Sequence, residues 1–92
     1  MEFLVRIEFS LPPDMDPAEK AELLEREAAR GRELQAAGTI VRIWRVPGRF
    51  ANLGIWQAAD ATELHAAISS LPLYPWMSND VTALAVHYLE QD

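Results

Sequence analysis

Apolar and polar residues alternate at the start of the chain. Between Glu2 and Leu11, Phe3, Val5, Ile7, Phe9 and Leu11 fall on one side, and Glu2, Leu4, Arg6, Glu8 and Ser10 on the other. Successive side chains of a strand point to opposite faces, so this stretch predicts a β-strand with one apolar side. After the loop P-P-D-M-D-P the period changes. Asp16 is a good helix N-cap, Pro17 suits the first helical position, and Glu19 stands three residues after the cap. A helix is expected from about Pro17 to Ala37, stopped by Gly38.

Thr39 to Val46 is short and rich in β-branched residues, the mark of a second strand. Pro47 and Gly48 turn it into a third, R-F-A-N-L-G-I-W, Arg49 to Trp56. Asp60, with Glu63 three residues later, opens a second helix through about Ser69. In L-P-L-Y-P-W-M, Leu71 to Met77, the two prolines argue against regular structure and the aromatics seek burial. Val81 to Leu89 reads as a fourth strand. The order is β-α-β-β-α-β, which predicts an α+β, ferredoxin-like fold with a four-stranded antiparallel sheet and two helices on one face. The other face must stay wet or meet a partner.

Length and charge narrow the function classes. At 92 residues the chain, 1–92, is expected to be a single domain, and one so small gains from forming a homo-oligomer. Its net charge of −6, with Lys20 the sole lysine, speaks against a nucleic-acid partner. No apolar run of membrane-spanning length and no leader-like N-terminus is seen, so no membrane partner is expected and a cytoplasmic location is the default. Zero cysteines exclude thiolate chemistry, and with only His65 and His87 no histidine-based metal site is expected.

Two polar residues stand where apolar ones belong. Glu27 lies four residues after Leu23, three after Leu24 and seven before Leu34, on the stripe that a helix turns toward its packing partner. Burial raises a carboxyl pKa and brings glutamate toward useful basicity. The plainer alternative is a stripe-edge residue paired with Arg30 or Lys20. In the third strand, Phe50, Asn52, Gly54 and Trp56 share a face. Asparagine is a poor strand former, and Gly54 removes bulk beside it, as where a ligand approaches. A neutral donor in an apolar pocket can hold a developing oxyanion; the plainer alternative is a hydrogen bond to nearby backbone. Arg42, Arg45 and Arg49 flank the hairpin and can hold a carboxylate by paired hydrogen bonds. Trp44, Trp56 and Trp76 read first as core or interface anchors, with Trp56 a candidate for the substrate pocket because it shares the face of Asn52.

The segments L-P-x-D-M-D-P (Leu11 to Pro17), the Leu34 to Thr39 helix end with G-T, W-R-x-x-G (Trp44 to Gly48), A-N (Ala51, Asn52) and L-P-L-Y-P-W-M (Leu71 to Met77) resemble the muconolactone δ-isomerase family. The likeness runs over nearly the whole chain. It implies a ferredoxin-like enzyme without a cofactor, acting in aromatic degradation between muconate and 3-oxoadipate. It also implies a ring-like homo-oligomer, a decamer, with active sites near subunit contacts. The implied reaction is a 1,3-proton shift converting muconolactone to 3-oxoadipate enol-lactone, through a dienolate. Glu27 matches the family's general base and Asn52 its active-site asparagine. Phe50 stands where the family carries a tyrosine, and Arg49 where histidine can occur. The expected roles are Glu27 as base, Asn52 as donor to the lactone carbonyl, Phe50 as apolar wall, and Arg45 or Arg49 as the clamp on the substrate carboxylate. The alternatives are a chloromuconolactone dehalogenase, which related members imply, and a non-catalytic oligomeric binding protein of the same fold.

Overall fold

A computed structural model describes residues 1–91. The elements run β1 (Glu2–Phe9), α1 (Pro17–Ala36), β2 (Ile40–Arg45), β3 (Ala51–Gln57), α2 (Ala61–Ser69) and β4 (Met77–Leu84), with short 3-10 turns at Tyr74–Trp76 and Tyr88–Glu90. The strands form one antiparallel sheet in the order β2-β3-β1-β4. This is the ferredoxin-like α+β arrangement that the alternating pattern predicts.

Directly paired residues of neighbouring strands share a face, so the register sorts the sheet into rows. Phe3 pairs with Trp56 and Ala83, Val5 with Gly54 and Val81, and Ile7 with Asn52 and Asn79. Phe3, Val5, Ile7 and Trp56 are buried with Leu64 and Ile68 of α2, and from α1 only Leu34 joins them. These three rows therefore mark the helix-covered face. Glu2, Leu4, Arg6 and Glu8 of β1 lie on the open face, as expected of a strand with one apolar side.

The N-terminus of α1 is capped as predicted, with Asp16 Oδ2 accepting from the Glu19 amide at 3.1 Å. Its end is closed by Thr39 N–H donating to Leu34 O at 2.9 Å, with Gly38 at φ +80° making the left-handed step. Position 38 needs glycine for that reason.

Three expectations are corrected. β4 begins four residues early, at Met77, and stops at Leu84 rather than Leu89. Met77 pairs with Phe9 and Leu84 with Glu2, so β1 has no partners left for residues 85–89. Those residues instead lead into the Tyr88–Glu90 turn, capped by His87 Nδ1 accepting from the Leu89 amide at 3.1 Å. The two-proline segment is also ordered: Pro75 sits inside the 3-10 turn Tyr74–Trp76, where a missing N–H costs nothing. Finally, the space beside Gly54 is already taken. A Cβ there would lie 3.0 Å from Arg42 O and 3.2 Å from Trp56 Nε1. Gly54 makes room for the indole and for the β2 backbone, not for a ligand. Because the nearer neighbour is backbone, Gly54→Ala is expected to destabilise the fold by about 1–3 kcal/mol, read as a lower denaturant midpoint at unchanged slope.

Among the described residues no helix is long and apolar enough to cross a membrane.

Candidate active site

The β2–β3 hairpin turns at Val46–Arg49, closed by Val46 N–H to Ala51 O at 3.1 Å and helped by Gly48 at φ +79°. The turn brings Arg45 opposite Asn52, and two residues earlier Ile43 opposite Gly54, all on the helix-covered face of the sheet. Yet α1 does not reach down over this corner. Ile43 is 38% exposed and Phe50 45% exposed, and the result is a cleft of about 270 Å³ at the sheet's corner, lined by Phe9, Ile43, Trp44, Arg45, Phe50, Ala51 and Asn52. Phe9 and Phe50 form one wall, their rings 4.9 Å apart and tilted by 34°.

Asn52 forms part of that lining. Its Oδ1 is buried and has no hydrogen-bond partner among the described residues. The backbone bond expected of an ordinary strand asparagine is absent. A buried acceptor left unpaired costs about 1–3 kcal/mol, a cost that an ordered water or a bound ligand would relieve. Arg45, exposed at the rim, takes part in no ion pair among the described residues.

Glu27 is half-buried on α1, where its Oε1 accepts from the Leu73 amide at 2.8 Å. Burial raises its pKa above the usual glutamate value, and the Leu73 N–H partly offsets the rise. It does not pair with Arg30 or Lys20. Arg30 turns instead to Ser70 Oγ at 3.0 Å and Glu33 Oε1 at 3.3 Å. Glu27 stands on the same side of the sheet as Asn52, but it is not among the residues that line the cleft.

The structure thus gathers Arg45, Phe50 and Asn52, and separates Arg49 and Trp56 from them. Arg49 bonds to Glu8 on the open face, Nε to Oε1 at 2.6 Å. That hydrogen bond lowers the Glu8 pKa and raises that of Arg49. Trp56 shares the face of Asn52 but lies four residues along β3, about 13 Å away. It is fully buried in the core, so it packs the fold rather than the cleft. Arg42 lies over the Trp44 ring at 5.0 Å on the open face.

Asn79 escaped the sequence reading because the fourth strand was expected to start after it. It pairs with Ile7 from the side opposite Asn52, and its Oδ1 is likewise buried without a partner. The signal, an asparagine on an apolar strand face, was the same one that picked out Asn52. Among the described residues no cluster of His, Cys, Asp or Glu can hold a metal ion.

A profile of the family described as muconolactone delta-isomerase matches residues 1–90. The chain belongs to the muconolactone delta-isomerase family. Among curated relatives, the muconolactone delta-isomerase of Cupriavidus pinatubonensis is 40% identical over 87 residues, covering 95% of this chain and 95% of that one. That of Rhodococcus opacus is 36% identical over 85 residues, covering 92% and 91%. A crystal structure of muconolactone isomerase superimposes with a TM-score of 0.89 at 35% identity, covering 96% of this chain and 92% of the other. Likeness to the muconolactone delta-isomerase family therefore extends through α1, the hairpin and the two-proline segment alike, the elements that carry Glu27, Asn52 and Leu73.

Proposed function

We propose that the protein catalyses a 1,3-proton shift in a carboxylate-bearing unsaturated lactone, muconolactone to 3-oxoadipate enol-lactone, in aromatic degradation. The observation that carries this reading is Asn52 lining an apolar cleft whose rim holds Arg45, an arginine in no ion pair among the described residues. Family membership supplies the reaction class.

In the proposed route, Arg45 holds the substrate carboxylate by paired hydrogen bonds. Glu27 takes the proton from the γ carbon, the electron pair spreads into a dienolate, and the Asn52 amide donates to the carbonyl oxygen where the charge collects. Glu27 then returns the same proton to the α carbon, so the carboxylate is regenerated. Oε1 of Glu27 is held by Leu73, leaving Oε2 as the basic oxygen. The route requires the γ carbon to lie between the cleft and α1. Phe50 acts as an apolar wall, which strengthens the Asn52 bond by excluding water.

Muconolactone mixed with the purified protein should lose its ultraviolet signature as the enol-lactone forms. A chlorinated analogue run in parallel, assayed for chloride, identifies dehalogenation, and binding without turnover identifies a non-catalytic protein. The arginines separate cleanly. Arg45→Ala is expected to raise KM by about 10²-fold, the loss of one charge-assisted carboxylate contact. Arg49→Ala, across the sheet, should stay within about twofold of wild type.

We also propose cytoplasmic homo-oligomeric assembly of decamer size. Val86, Tyr88 and Leu89 are each at least 70% exposed, an apolar tail that a second subunit can cover.

A further inference from the structure

The L-P-L-Y-P-W-M segment matters to this site through its backbone. Its donors can be accounted for one by one. Leu71 N–H goes to Ile68 O, Tyr74 N–H to Leu71 O and Trp76 N–H to Leu73 O, while Pro72 and Pro75 have none to give. The Met77 N–H closes the turn on Tyr74 O. Leu73 alone gives its N–H to a side chain, 2.8 Å to Glu27 Oε1. Leu71 and Leu73 are both buried, so the donor is fixed by its own anchors.

One helical turn along α1, a second bond reaches the same corner. Arg30 Nε donates to Ser70 Oγ at 3.0 Å. Residues 27 and 30 of the helix thus meet residues 73 and 70 of the segment in antiparallel order. This matters because Leu34 is the one buried residue of α1. Packing on the sheet fixes the C-terminal part of the helix, and Glu27 lies two turns before it. We propose that the Ser70–Leu73 corner is the device that sets the position of the Glu27 carboxylate, with Ser70 and Arg30 as positioning residues for the base.

This inference rests on Glu27 being the base, and the test keeps the two apart. The nearest charged neighbour along α1, Arg30, turns to Ser70 and Glu33 instead of the carboxylate. Among the described residues no charged side chain hydrogen-bonds to it, and its pKa responds to burial and the Leu73 N–H. Ser70→Ala removes the companion bond without changing any charge.

In that variant, carbon-13 NMR of the Glu27 side chain is expected to show a higher titration midpoint, because the helix no longer holds the carboxylate against its donor. The acid limb of kcat/KM should move up with it, and kcat at neutral pH should fall about tenfold, with KM within about twofold. Ser70→Thr, which keeps the hydroxyl, should restore both readouts, and Arg30→Gln should reproduce the loss. A wild-type Glu27 titration in both Ser70→Ala and Arg30→Gln overturns the positioning role, whatever the turnover. Full turnover in Glu27→Gln overturns the base assignment instead, and the titration distinguishes that failure from this one.

Discussion

Glu27→Gln is expected to lower kcat by about 10²–10⁴-fold, the usual contribution of a positioned general base. Glutamine preserves the shape and can still accept from Leu73 N–H, so the change removes basicity and little else. The pH dependence follows from the sign of the shift. Burial raises the Glu27 pKa above the ordinary glutamate value, so the wild-type base is lost as pH falls through that raised value. Wild-type kcat/KM should accordingly decline on the acid side at a pH above the ordinary glutamate range, and the residual activity of the variant should lack that limb. Stability runs the other way. A carboxyl whose folded pKa is raised stabilises the fold fully below its unfolded value, and that stabilisation is lost as pH rises through the folded one. At neutral pH the buried charge is thus a liability, and the glutamine variant should unfold at a denaturant midpoint no lower than wild type. A variant with full turnover removes Glu27 from the mechanism.

Asn52→Leu is expected to lower kcat by about 10²–10³-fold, the cost of removing one donor aimed at developing negative charge. Leucine is close in volume, and it abolishes the unpaired Oδ1 as well as the donor. The fold should therefore be as stable as wild type or more so, since an unsatisfied buried acceptor disappears. Loss of turnover together with gain of stability is the signature of a functional amide. If both fall together, Asn52 is a structural residue whose partner is ordered water, and the catalytic donor must be sought elsewhere.

How much of this was legible beforehand depends on whether the signal was local. Alternation along β1, the Asp16 and Asp60 caps and the Gly38 stop are local, and the strands and helices followed from them. Asn52 was legible because a polar side chain in an apolar alternation conflicts with its surroundings. The open space at Gly54 was misread for the opposite reason: what fills it is the backbone of β2, which no spacing within β3 reveals. The start of β4 was misplaced because the residues that pair with it lie in β1, some seventy positions away. Arg45 and Arg49 could not be told apart by type. They differ by which face the hairpin gives them, and only the pairing of Arg45 with Asn52 and the ion pair of Arg49 with Glu8 decide it. The Leu73 donor was invisible as chemistry, since a backbone amide carries no side-chain signature.

The place of β1 in the sheet has a consequence for biogenesis. It is made before both of its partners, yet it lies between β3 and β4, pairing Phe3 with Trp56 and Ala83. Neither of its edges has a strand to join until some forty further residues have been made. Sheet formation must wait for late-arriving partners, which slows folding and leaves a sticky ribbon unshielded during translation. A nascent chain of this kind is a natural client for holding chaperones, and its aggregation hazard lies in β1.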